Sequence, residues 1–128
     1  MTTKVLVVED NEQNLYLVTF LLEKSGFEVI AARTGPEGVA AAEAGRPALI
    51  LLDIQLPGMD GYAVARALRA IPALARVPIV AVSSYAMGGD RERGLAAGCN
   101  GYIAKPIDPG NFIAQLQPFL AAVSGTGA

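Results

Sequence analysis

Short apolar runs alternate with longer amphipathic stretches five times along the chain. The runs Val5–Glu9, Glu28–Ala32, Leu49–Asp53, Ile79–Val82 and Tyr102–Ala104 are rich in β-branched and aliphatic residues, and several are apolar on consecutive positions. Consecutive apolar positions predict strands covered on both faces, as in a parallel sheet between helices. Helical periodicity fills the gaps. Leu15, Val18, Leu21 and Leu22 share one face, and Gly26 follows as the residue past the helix end. Thr34 and Glu37 have capping-box spacing and open a helix that runs to about Gly45. Asp60 caps a helix over Tyr62–Ala70, and Gly98 closes one over Arg91–Ala97. Asp108 and Pro109 read as N-cap and first residue of a last helix that turns Phe112, Ile113, Leu116 and Leu120 inward.

Five such βα units predict a doubly wound, right-handed α/β sandwich. The preferred arrangement is a five-stranded parallel sheet in the flavodoxin-like order 2-1-3-4-5, with helices on both faces. Residues 1–123 make the one expected domain and 124–128 a flexible C-terminal tail. Pro118 removes a hydrogen bond inside the last helix and should kink or shorten its final turn. Gly88-Gly89 should delay the start of the fourth helix or loosen it.

Composition narrows the chemistry. The chain has 128 residues, 52% hydrophobic and 17% charged, enough for one well-filled core. Its net charge is −2 and no two basic residues are adjacent, so nothing supports nucleic-acid binding. Cys99 is the one cysteine and reads as a small core residue; no histidine is present. Cys–His and Ser–His catalytic pairs, histidine metal ligands and a phosphohistidine carrier are therefore excluded. The early apolar run Val5–Val8 is too short for a signal peptide or membrane span, so a cytoplasmic protein without membrane contact is expected.

In a doubly wound sheet the ligand sits beyond the C-terminal ends of the strands, where the strand order reverses. Those ends carry Glu9 and Asp10, then Asp53, Ser83 and Lys105. Any one of them alone reads as a solvated cap or a structural ion pair. Together, three carboxylates need a cation, and an all-oxygen donor set selects a hard ion, Mg²⁺ or Mn²⁺. Lys105 supplies a compact charge for a phosphate or for Asp53, and Ser83 a hydroxyl for a phosphoryl oxygen. Asp53 then suits nucleophilic attack on phosphorus. Neither a P-loop nor a G-x-G-x-x-G run occurs, which argues against ATP as the direct donor.

Four segments carry a family resemblance: Val7-Val8-Glu9-Asp10-Asn11, Leu52-Asp53-Ile54-Gln55-Leu56-Pro57-Gly58-Met59-Asp60-Gly61, Ala81-Val82-Ser83-Ser84, and Ala97 to Pro106. In this order and spacing the chain resembles the receiver domains of bacterial two-component response regulators over nearly its whole length, in the stand-alone form. The resemblance implies that Glu9 and Asp10 hold Mg²⁺ with Asp53 and the backbone carbonyl of Gln55. It makes Asp53 the phosphoacceptor, Ser83 the hydroxyl that moves onto the phosphoryl group, and Ser84 the small residue that leaves room. Tyr102 becomes the rotamer switch and Lys105 the phosphate-pairing lysine, with a cis bond to Pro106. Gln55 and Tyr85 occupy positions that tune phosphoryl lifetime.

It further implies a sensor histidine kinase or a histidine phosphotransfer protein as donor. A downstream protein target is expected on the face of the fourth helix, fifth strand and fifth helix, with Tyr85, Met87 and Tyr102 as contacts. The protein is expected to be a monomer or a weak dimer on phosphorylation. It is a switch, not an enzyme, with self-phosphorylation and slow autodephosphorylation at most. Ser83 departs from the commoner threonine. Taken without the resemblance, Tyr102 is an ordinary edge-strand aromatic and Gly58 and Gly61 are turn residues. Three other readings stand beside it. A dehalogenase-type phosphohydrolase would want an acid at Gln55, a flavodoxin-like redox carrier would absorb visible light, and a phosphorylation-independent binding module would ignore Asp53→Asn.

Overall fold

The computed structural model describes residues 3–56, 60–83 and 88–127, with side chains omitted for 88–91 and 121–127. The strands are β1 (Lys4–Val8), β2 (Glu28–Ala32), β3 (Leu49–Asp53), β4 (Ile79–Ser83) and β5 (Gly101–Ala104). Between and after them lie α1 (Glu12–Lys24), α2 (Gly35–Gly45), α3 (Gly61–Arg69), α4 (Gly88–Ala96) and α5 (Phe112–Gly127). All strand pairs are parallel and the order is β2-β1-β3-β4-β5, as the alternation of apolar runs predicts.

Alternation along the strands divides the interior in two. Val5, Val7, Leu49, Leu51, Val80 and Val82 face α1 and α5, meeting Leu15, Val18, Leu22, Phe112 and Leu116. Leu6, Val8, Ile50, Leu52, Ile79 and Ala81 face the other way, against Ala42, Val64, Ala65, Leu68 and Ala97. Both β3 and β4 are buried along their whole length, which is why their sequences are unbroken apolar runs ended by one polar residue.

Capping sets the helix ends. Gly26, at φ +93°, donates to the Glu23 carbonyl while Phe27 donates to that of Leu22, a Schellman end to α1. Gly98, at φ +107°, closes α4 the same way, with Cys99 bonded to Gly94. Thr34 Oγ1 accepts from the Glu37 N–H at 3.2 Å, but Glu37 Oε2 reaches back to the N–H of Arg33, not of Thr34. Asp60 Oδ1 accepts from the Tyr62 N–H at 3.0 Å and fixes the start of α3.

Three expectations change. The last helix begins at Phe112, because Asp108 Oδ1 caps a separate turn by accepting from the Gly110 N–H. Pro118 does not shorten α5, whose backbone stays helical to Gly127. The fourth helix starts at Gly88, so the two glycines lie in its first turn and not before it.

Candidate functional site

Order reverses between β1 and β3, and the polar strand ends meet there. Glu9 follows β1 and is 5% exposed; its N–H is fixed by the Ala32 carbonyl at 2.9 Å. Asp53 ends β3 and is 2% exposed. Asp10 is exposed, and oxygen atoms of Glu9, Asp10 and Asp53 lie within 4.8 Å of one another. From the far flank, Lys105 Nζ reaches Asp53 Oδ2 at 3.1 Å and Glu9 Oε2 at 3.4 Å. Its backbone N–H donates to the Ser83 carbonyl at 2.8 Å, and the Lys105–Pro106 bond is cis. Ser83, 1% exposed, ends β4 beside it.

Each of the two buried carboxylates also accepts a local backbone hydrogen bond. Asp53 Oδ1 accepts from the Gln55 N–H at 2.9 Å, and Glu9 Oε1 from the Asn11 N–H at 3.2 Å. Below them the floor is apolar, formed by Val7, Val18, Leu51, Val82 and Phe112. Burial on that floor, reinforced by the Asp53 charge and by a hydrogen bond to Asp53, pushes the Glu9 carboxyl up from 4.5 to about 7; Lys105 and the Asn11 N–H oppose the shift. One ammonium thus leaves the carboxylates under-compensated. Their donor atoms are all oxygen, so the set fits a hard divalent cation.

The loop after Asp53 is held by a close backbone approach. The Gly61 N–H donates to the Ile54 carbonyl at 3.2 Å, and a Cβ on Gly61 would lie 2.7 Å from that oxygen. Gly61 is thus a contact glycine and not a turn residue. Gly58 lies outside the described residues, as do Ser84, Tyr85 and Met87. Tyr102 is half-buried on β5 and packs against the α2–α3 side of the core. Cys99 is buried, and burial pushes its thiol up to about 11, which leaves it unreactive at neutral pH.

Two features had little signal in the sequence. Lys105 pairs with Glu9 as well as with Asp53, a contact between β1 and β5 that only the fold reveals. Arg33, at the end of β2, pairs with Glu12 at 2.6 Å.

Comparison with known proteins agrees with this geometry. The response regulator receiver domain family matches residues 5–117. The polar-differentiation response regulator DivK of Brucella ovis is 43% identical over 120 residues, covering 94% of this chain and 98% of that protein. The receiver domain of the sensor histidine kinase PA1611 from Pseudomonas aeruginosa, solved with a magnesium ion coordinated in its active-site cleft, is 37% identical. Its TM-score is 0.86, over 94% of this chain and 99% of that one. The chemotaxis protein CheY4 of Vibrio cholerae superposes with TM-score 0.89 at 28% identity, over 93% and 99% of the two chains. Among the described residues no helix is long and apolar enough to cross a membrane.

Proposed function

Since this chain belongs to the response regulator receiver domain family, we propose that it accepts a phosphoryl group on Asp53 from a phosphohistidine donor and thereby switches its protein contacts. The observation that carries this is the buried Asp53 carboxylate, joined to Lys105 at 3.1 Å and clustered with Glu9 and Asp10. A carboxylate oxygen of Asp53 forms a bond to phosphorus as the P–N bond of the donor breaks. The electron pair leaves on the imidazole nitrogen, which takes a proton from solvent.

Glu9, Asp10, Asp53 and the Gln55 carbonyl would hold Mg²⁺, with Mn²⁺ as a substitute. Bound there, such an ion would supply positive charge to offset that of the phosphoryl oxygens. Lys105, already at the acceptor oxygen, pairs with the phosphoryl group once it arrives. Ser83 ends the neighbouring strand and donates to the same group, so its side chain moves toward Asp53. The added charge, about two negative units, is what biases the switch.

Tyr102, on β5 three positions before Lys105, transmits that motion to the α4–β5–α5 face. A groove of about 410 Å³ on that face, lined by Leu95, Tyr102, Gln115, Pro118 and Phe119, supports a downstream protein target there. The donor is a sensor histidine kinase or a histidine phosphotransfer protein. The test is transfer from a labelled phosphohistidine protein. Wild type should drain the label in the presence of Mg²⁺ and Asp53→Asn should not; retention of label by both would end the proposal.

A further inference from the structure

Lys105 approaches the carboxylates from one flank only. It follows β5, two strands away from β3, and its side chain crosses that gap to reach Asp53. Arg33 stands at the matching place on the other flank. It is the first residue after β2, which is also two strands from β3. At about 4.8 Å per strand, both backbones lie roughly 10 Å from the Asp53 strand. The Glu9 N–H bonds to the Ala32 carbonyl, so Arg33 is level with the Glu9–Asp10 step and at the same end of the sheet.

Two acidic residues hold Arg33 there. Glu37 Oε2 accepts from its N–H at 2.9 Å, which is why the capping box of α2 is displaced by one residue. Glu12 Oε1, at the start of α1, takes its guanidinium at 2.6 Å. The two side chains are 51% and 73% exposed. An exposed pair of this kind contributes little and exchanges readily. A phosphoryl dianion is a stronger partner for a guanidinium, because two of its oxygens match the fork of N–H donors.

The need for such a group follows from charge. Three carboxylates, one ammonium and one divalent cation sum to zero, so the loaded site offers a dianionic donor no net attraction. We propose that Arg33 is a specificity-determining residue for the phosphorylation reaction, which leaves Glu12 to engage the anionic oxygens of an incoming acyl phosphate or phosphoramidate. The inference rests on the phosphoacceptor reading of Asp53 and adds a capture step to it.

Phosphorylation by acetyl phosphate, followed by intact mass with Mg²⁺ present, tests it in wild type, Arg33→Ala, Arg33→Lys and Glu12→Gln. The second-order rate constant should fall about threefold to tenfold in Arg33→Ala. Arg33→Lys should keep much of it, and Glu12→Gln should raise it about twofold by releasing Arg33. Added salt should compress all three differences. Hydrolysis of the acyl phosphate and Mg²⁺ affinity involve no donor and should stay at wild-type values. A wild-type rate in Arg33→Ala overturns the inference, and so does a parallel shift in hydrolysis or Mg²⁺ affinity. Normal uptake by wild type with an indifferent Arg33→Ala sinks this inference alone; no uptake by wild type removes the Asp53 reading and this one with it.

Discussion

Replacing Gly61 by Ala puts a methyl group where the Asp53 loop already fills the space. The new Cβ would lie 2.7 Å from the Ile54 carbonyl oxygen and 2.9 Å from its carbon, with Ile54 Cα closer still. These are backbone atoms of the residue next to Asp53, and no rotamer change relieves them. Overpacking of this kind costs about 1–3 kcal/mol. Stretching the 3.2 Å bond from Gly61 to Ile54 adds about 1 kcal/mol. Restricting the unfolded chain returns about 0.5–1 kcal/mol.

The net loss is about 1–3.5 kcal/mol, a drop in melting temperature of roughly 4–14 °C for a domain of this size. Urea unfolding followed by far-UV circular dichroism measures it. Gly26→Ala is the control: φ is +93° and nothing lies within 4 Å of the added carbon, so only left-handed strain of about 1 kcal/mol applies. If Gly61→Ala proves no less stable than Gly26→Ala, close approach is not what positions the loop.

Two further outcomes follow from the electrostatics. With divalent metal chelated, Glu9 is raised from 4.5 to about 7, so the folded state binds its proton more tightly than the unfolded chain. Its contribution to stability is complete below pH 4.5 and is lost as pH rises through 7. Denaturation midpoints across that range should show this decline in wild type and a flatter profile in Glu9→Gln; matching profiles would contradict the assignment. Arg69 donates to the carbonyls of Gly98, Leu74 and Val77 and to Asn100 Oδ1, joining α3 to the segment that leads into β4 and to the turn between α4 and β5. Arg69→Met should cost about 2–4 kcal/mol, and Arg69→Lys should recover less than half, since one ammonium cannot span those acceptors. A loss under about 1 kcal/mol in the urea midpoint for Arg69→Met would show the network to be redundant.

The parts legible in the sequence are those fixed by local pattern. β3 coincides with its apolar run because both of its faces are covered, and β2 occupies its predicted residues although it is a partly exposed edge strand. Glu9, Asp53, Ser83 and Lys105 stand out because each ends such a run, and strand ends converge in this topology. What was not legible depends on contacts between distant segments. Gly61 looks like a turn residue until its approach to Ile54 is seen. Arg69 meets partners as far as 31 positions away, and nothing in its own helix announces them. Arg33 and Glu12 sit 21 positions apart and meet only because β2 lies beside β1. The start of α5 was misplaced because Asp108-Pro109 initiates a turn as readily as a helix.

Phosphoryl uptake at Asp53 is the central claim, and intact mass measured after incubation with acetyl phosphate tests it most directly. The account predicts one phosphate adduct on wild type that requires Mg²⁺ and is absent from Asp53→Asn. An unmodified wild-type chain under conditions that trap short-lived acyl phosphates, or an adduct that survives in Asp53→Asn, would contradict it.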